Sequence, residues 1–372
     1  MYPRSITTRQ IDARRLGHAR GRGASINPPN RFETLRLDVL DEHREHIKHD
    51  IDAGVQVLTE VEAETSRTII NRVDSPDMPF NWTINPYRGC EHGCAYCYAR
   101  PSHEHLGFSC GLDFETRIVA RRDAPDLLRH ELARPRWTGE PIVLSGVTDA
   151  YQPLERRLRI TRSCLEIMAA CGQPVSIVTK NHLVTRDVEL LRLLAERQAA
   201  RVMLSITTLD TDLARRLEPR ASAPADRLRA VETLSQAGVP VGIMMAPIVP
   251  GLTDHEIAPV LRAAANAGAH TANWVMLRLP YQVESVFTAW LERWYPDRRS
   301  RVLKRLRETF GGRTYSPRFG RRLIGDGPWT AQIRETFDLF ANRYGLTRQL
   351  EPLSSASFRR PALDGQLDLF AD

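Results

Sequence analysis

The chain has 372 residues, is 42% hydrophobic and carries a formal net charge of +7. That is enough material for one large domain with appendages or for two small ones. No stretch approaches the run of about 18 apolar residues that crosses a bilayer and no signal-peptide apolar region is present, so a cytoplasmic protein with no membrane segment is expected.

In chain order, residues 1–50 are polar and Arg-rich, and the run Gly21-Arg-Gly23-Ala-Ser-Ile-Asn-Pro28-Pro29 cannot sustain regular structure. This part is expected to be laid on the main domain or partly disordered, residues 51–73 to be more regular with a short strand over 68–73, and the whole of 1–78 to form an N-terminal extension. From residue 80 an alternation begins. The pattern predicts strands over 80–84, 141–145, 175–179, 201–207, 239–246 and 273–279, and helices over 125–133, 159–170, 188–198, 225–236 and 255–267. Gly172, Gly238 and Gly268 read as helix C-caps, and Thr253-Asp-His-Glu256 as a capping box. Six strands alternating with helices imply parallel βα units, too few for a closed eight-fold barrel. The expected fold is therefore α/β: a partial (β/α)6 TIM-like barrel over 79–283, whose chemistry gathers at the C-terminal strand ends. A C-terminal helical region over 284–350 follows, with helices over 284–312 and 328–344, and then a tail over 351–372.

The first strand runs into Asn85-Pro-Tyr-Arg-Gly-Cys90-Glu-His-Gly-Cys94-Ala-Tyr-Cys97-Tyr98. Three thiolates in so short a loop, with no fourth at a matching distance, suit a [4Fe-4S] cluster with one iron left open. A structural zinc site needs four ligands, and His92 supplies a fourth only by crowding between Cys90 and Cys94. The other cysteines read differently. Cys164 and Cys171 share one face of an apolar helix and are expected in the core, while Cys110 is a loop thiol, buried or reactive.

The cysteine motif resembles the radical S-adenosylmethionine (SAM) superfamily. The resemblance covers about residues 80–280, and the Cys-Tyr-Cys-Tyr run is similar to the branch of spore photoproduct lyase, whose relatives are often labelled DNA repair photolyases. It implies that Cys90, Cys94 and Cys97 hold the cluster, whose open iron chelates SAM, and that Tyr96 lines the adenine site. Thr148 and Asp149 would then receive the SAM amino group, Lys180 the carboxylate, and Ser205 the ribose or carboxylate. Each has an ordinary alternative: an Asx-type turn at Asp149, a backbone-satisfied hydroxyl at Ser205. Glu218-Pro-Arg220 presents either a guanidinium to the carboxylate or a loop salt bridge; Met245-Ala-Pro247-Ile resembles the adenine-contacting segment, and Met244 and Met245 are otherwise ordinary core residues. The activity implied is cleavage of SAM to methionine and a 5′-deoxyadenosyl radical, which takes hydrogen from a substrate, with an external one-electron reductant as partner. One departure matters. The lyase uses a hydrogen-donating cysteine near the acid of the second-strand motif, and here no cysteine occurs between Cys110 and Cys164. Either Tyr98 or Cys110 donates instead, or the substrate differs; the second reading is favoured.

Two further features bear on partners. Between Arg298 and Arg322 stand ten Lys/Arg residues and one acid, Glu308, a local balance of +9. A block of one sign favours a polyanion, and Arg301, Arg305 and Arg321 are expected to bind nucleic acid. The run Gly365-Gln366-Leu367-Asp-Leu369-Phe370 resembles the short motif that docks bacterial repair proteins on the DNA sliding clamp. The expected function is a radical SAM enzyme acting on nucleic acid in DNA repair or modification. The alternatives are radical modification of a peptide or metabolite, and a non-catalytic metal-stabilised nucleic-acid-binding protein.

Overall fold

The computed structural model describes residues 21–32 and 57–363. Its strands are β1 (Glu60–Ala63), β2 (Ile70–Arg72), β3 (Trp82–Ile84), β4 (Tyr87–Arg88), β5 (Arg117–Ala120), β6 (Ile142–Leu144), β7 (Val175–Thr179), β8 (Ala200–Ser205), β9 (Val241–Ile248) and β10 (Thr271–Met276). The principal sheet has the order β10-β9-β8-β7-β6-β3-β2. From β3 to β10 every pairing is parallel, and β2 adds an antiparallel edge with Ile70 opposite Ile84. Six parallel strands in sequential order, linked by helices, make the expected partial (β/α)6 barrel; its inner strands are buried on both faces as such sheets require, while the edge strand β10 alternates between buried and half-buried residues. Ile142, Ile177, Val202, Leu204 and Ile243 are all fully buried.

The expected helices are present at Ala124–Leu132, Ile160–Cys171, Val188–Ala195, Pro224–Gln236 and Ile257–Asn266. Gly172 ends the second of these with φ +66°, and a Cβ there would sit 2.3 Å from Ser357 O, so glycine serves both the turn and the passage of the C-terminal segment. That segment, residues 351–363, has no regular structure and crosses the barrel on backbone bonds such as Arg359 N–H to Cys171 O at 2.8 Å.

Four departures from the sequence expectations have local causes. The helix expected over 284–312 is two, Val283–Trp294 and Pro296–Thr309, because Pro296 forces Tyr295 out of helical geometry (φ −143°, ψ 54°). The capping box at Thr253 does not form. Thr253 Oγ1 accepts from Val249 N–H instead, and Glu256 turns back to accept from Thr208 Oγ1 and Leu209 N–H. A short helix, Thr211–Leu217, is capped by Asp210, whose carboxylate takes the amides of Asp212 and Leu213. Finally, β1, β5 and β4 form a small second sheet of strands too short to leave a periodic signal.

Candidate functional site

The cysteine loop leaves β4 at the C-terminal end of the barrel. All three thiols are free; Cys90 and Cys94 are buried and Cys97 is half-buried. The loop is held from beneath by Arg100, a fully buried guanidinium that donates to Cys94 O (3.0 and 2.7 Å), Gly111 O (2.7 Å), Cys110 O (3.2 Å) and the Glu115 carboxylate. Glu115 also accepts from the amides of Gly23 (2.9 Å) and Ala24 (2.7 Å), so residues 21–32 are strapped over the loop rather than trailing from it. The approach is very close: a Cβ on Gly23 would lie 1.7 Å from Gly93 O, and Gly93 itself has φ +65°.

Burial pushes all three thiols above their ordinary range, so their thiolates need a cation inside the same cavity. Among the described residues no three His, Cys, Asp or Glu side chains converge on one point as a single metal ion requires. A four-iron cluster makes a different demand, one thiolate per corner, and the three cysteines fit it. His92 does not complete a zinc site. Its Nδ1 lies 3.3 Å from Asp149 Oδ2 and its Nε2 lies 3.2 Å from Asn181 Nδ2.

The residues expected to meet SAM come together, with unequal freedom to do so. Asp149 is saturated: it accepts from Tyr151 N–H (2.9 Å), Thr179 Oγ1 (2.7 Å) and Lys180 N–H (2.9 Å), besides facing His92. Burial opposes its charge, but His92 and these donors outweigh burial and hold the carboxyl at about 2. Thr148 Oγ1 donates to Gly89 O (2.6 Å) and accepts from Gln152 Nε2 (3.2 Å), tying the loop after β6 to the cysteine loop. Asp149 would have to give up one of these bonds to receive an ammonium, whereas the Thr148 hydroxyl keeps a second lone pair to accept with. Lys180 reaches Ala246 O at 3.2 Å, with its Nζ 5.9 Å from the Tyr96 ring centroid. Ser205 is buried at the end of β8, and its hydroxyl makes no hydrogen bond to another described residue, leaving it available to a ligand.

Tyr96 is anchored at its far end. Its hydroxyl donates to Glu218 and lies 3.3 Å from Thr207 Oγ1, and Glu218 in turn pairs with Arg227. Burial acts to raise the Glu218 carboxyl, yet Arg227 and then Lys180 outweigh it and keep the group at about 2. Arg220 takes the salt-bridge alternative, reaching Glu91 at 3.1 Å. Met245 is fully buried while Met244 is half-buried. Tyr98 stands at the rim, 48% exposed, donating to Gly146 O at 2.8 Å. Cys110 is buried, points its thiol at Gln282 Oε1 (3.5 Å), and is pushed up to about 12 by burial, a poor setting for a reactive thiol. Cys164 and Cys171 lie in the core as expected.

The basic segment is less one-signed in space than in sequence. Arg305 pairs with Asp254 (3.1 Å), Arg321 with Asp326 (2.7 Å), Arg322 with Asp77 (2.7 Å), Arg307 with Glu284 (3.2 Å) and Arg299 with Glu292 (3.0 Å). Arg298, Arg301, Arg313 and Arg318 are exposed and have no acidic partner among the described residues. Gln366, Leu367, Leu369 and Phe370 lie outside the described residues. Sequence reading missed Arg100, Glu115 and Arg227, since none belongs to a motif; the one available hint was the charge of residues in otherwise apolar surroundings.

A partial α/β barrel with three free thiols at its mouth, and a cluster of hydroxyl and lysine side chains beside them, fits an enzyme class that combines an iron–sulfur cluster with SAM. Known proteins agree. The radical SAM superfamily matches residues 84–264. An uncharacterized protein of Mycobacterium tuberculosis is 35% identical over 273 residues, 72% of this chain and 79% of its own. A radical SAM Nα-GlyT isomerase of Pseudomonas phage M6 is 25% identical over 172 residues, 46% of this chain and 34% of its own. Spore photoproduct lyase with bound AdoMet and dinucleoside spore photoproduct shares the fold, with a TM-score of 0.55 over 86% of this chain and 88% of that one at 15% identity. The chain belongs to the radical SAM superfamily and is an enzyme whose cofactors are a [4Fe-4S] cluster and SAM. Held by Cys90, Cys94 and Cys97, the cluster would supply the electron for SAM cleavage, as is general to the family, and an external reductant would be needed to replenish it. No helix among the described residues is long and apolar enough to cross a membrane.

Proposed function

We propose that this enzyme acts on nucleic acid, DNA in the first instance, in repair or modification. The observation that carries the reading is the open end of the barrel. There, exposed Tyr98 sits beside Cys97 with the Arg278 guanidinium 4.5 Å from its ring centroid, a cationic and aromatic rim suited to nucleotides. The fold shared with a lyase that binds a dinucleoside lesion supports it, as do the unpaired Arg298, Arg301, Arg313 and Arg318. Arg301 is the freest of the three arginines picked from sequence. Arg305 and Arg321 reach phosphates only by leaving Asp254 and Asp326.

In this reading Cys90, Cys94 and Cys97 bind the cluster. Tyr96 offers its ring to adenine while Glu218 fixes its hydroxyl, and Lys180 and Ser205 reach the carboxylate and ribose of SAM. Thr148 and Asp149 keep the loop after β6 in register with the cysteine loop and contribute to the amino-group site. Tyr98 hands hydrogen to or from the substrate, since no cysteine stands near Asp149 in the loop after β6 to do so. The tail from Gln366 to Phe370 docks the enzyme on the sliding clamp.

Anaerobic turnover with damaged DNA, undamaged DNA and tRNA, following 5′-deoxyadenosine in each, tests the substrate. Stimulation by a DNA arm supports the proposal. Stimulation by none of the three moves the substrate to peptides or metabolites.

A further inference from the structure

Nearly every guanidinium packed around the site has a carboxylate of its own: Arg100 has Glu115, Arg227 has Glu218, Arg31 has Glu104 and Arg322 has Asp77. Arg278 does not. It follows β10 at the open end of the barrel, half-buried, with no ion pair and no side-chain hydrogen bond to any described residue. Its guanidinium lies over the face of Tyr98. A partly desolvated cation without a counter-charge is costly unless an anion arrives to meet it.

The surroundings say what kind of anion. Tyr98, Tyr281 and Phe319 are 48%, 53% and 54% exposed, large rings turned outward where apolar surface is normally withdrawn. Each carries a guanidinium. Arg278 faces Tyr98, Arg31 lies 3.9 Å from the Tyr281 centroid, and Arg322 lies 5.0 Å from that of Phe319. The chain gathers them on one rim. Met276 N–H donates to Leu323 O (2.9 Å), which brings the Phe319–Arg322 loop beside the end of β10, and Tyr281 follows three residues after Arg278. Rings alternating with guanidinia on an open rim match a ligand that alternates flat faces with single negative charges. An unpaired nucleotide strand does so. A duplex hides its base faces in the stack and presents phosphates and base edges instead.

We infer that the substrate is held as unpaired nucleotides along this rim, with Arg278 taking a backbone phosphate next to Tyr98 and with Tyr281 and Phe319 stacking flanking bases. The inference rests on the nucleic-acid reading and makes it narrower: the enzyme takes single-stranded, bulged or locally opened DNA, not intact duplex.

Fluorescence anisotropy with the full chain tests it, using a labelled 12-mer as single strand, as matched duplex and as a duplex with a two-base bulge. The single strand and the bulge are expected to bind about tenfold or more tighter than the duplex. Arg278→Gln should weaken single-strand binding and flatten the salt dependence by about 0.7, the slope of one phosphate contact, while Arg278→Lys restores most of both. Phe319→Ala, at an exposed position that carries no core packing, should weaken binding about fivefold or more with the salt slope unchanged. Melting temperature and iron content of each variant report on folding. Equal or tighter duplex binding, or an unaltered salt slope in a folded Arg278→Gln protein, overturns the rim while leaving the nucleic-acid reading standing if DNA still stimulates 5′-deoxyadenosine formation. Binding of no oligonucleotide, with no such stimulation, removes both.

Discussion

Glu115 joins three parts of the molecule, and its removal should separate them. Its carboxylate is fully buried. It accepts from Arg100 beneath the cysteine loop and from the amides of Gly23 and Ala24 in the strap. Glu115→Ala leaves Arg100 as a buried cation whose remaining partners are carbonyl oxygens of the loop. Breaking one side of a buried pair costs about 3–5 kcal/mol, against a total stability of about 5–15 kcal/mol for a domain. Two orphaned amides would add about 1–3 kcal/mol each if they stayed buried, so the strap is expected to lift and hydrate them instead. The effect therefore divides: a loss of about 3–5 kcal/mol in urea unfolding of the apoprotein, and rapid amide exchange at residues 22–24. Iron retained after anaerobic reconstitution should fall as well, because the Cys94 carbonyl is held by the same Arg100. A stability change below about 1 kcal/mol with the strap still protected would refute the reasoning, and would mean that Arg100 is compensated by its carbonyl partners alone.

Three further outcomes are expected. Glu218 is held near 2 in the folded protein, below its ordinary 4.5, so it contributes stability that is present above pH 4.5 and is lost as the pH falls toward 2. That contribution is about 3 kcal/mol, and Glu218→Gln should flatten the acid limb of an unfolding profile between these values. Cys94→Ala should abolish cluster iron and 5′-deoxyadenosine formation, whereas Cys164→Ala should keep both and cost about 1–2 kcal/mol of stability; full iron content in the first protein would sink the ligand assignment. A peptide of residues 361–372 should bind purified sliding clamp at micromolar strength, about −8 kcal/mol, by calorimetry, and should lose it when Leu369 and Phe370 become Ala.

Much of this protein was legible in its sequence because the relevant signals are local. The spacing of Cys90, Cys94 and Cys97 is a property of one loop, and the inner barrel strands are short, mostly apolar runs buried on both faces, as at Ile142–Leu144. Helix ends were readable where one glycine decides them, as at Gly172. Signals failed where a distant partner outbid a local one. Thr253 and Glu256 have the residues of a capping box, but Thr208 and Leu209 claim the glutamate first. Arg298–Arg322 carries ten cations in one dimension, and the fold brings Asp77, Asp254, Glu284 and Glu292 from elsewhere to meet them. The same holds for Arg100 and Glu115, whose pairing closes the strap over the cysteine loop, and for Arg278, which is conspicuous only because its neighbours have found acids. Sequence determines which chemistry the loop holds and which segments repeat. The balance of charge at the site depends on which groups share a desolvated space, and only the tertiary structure decides that.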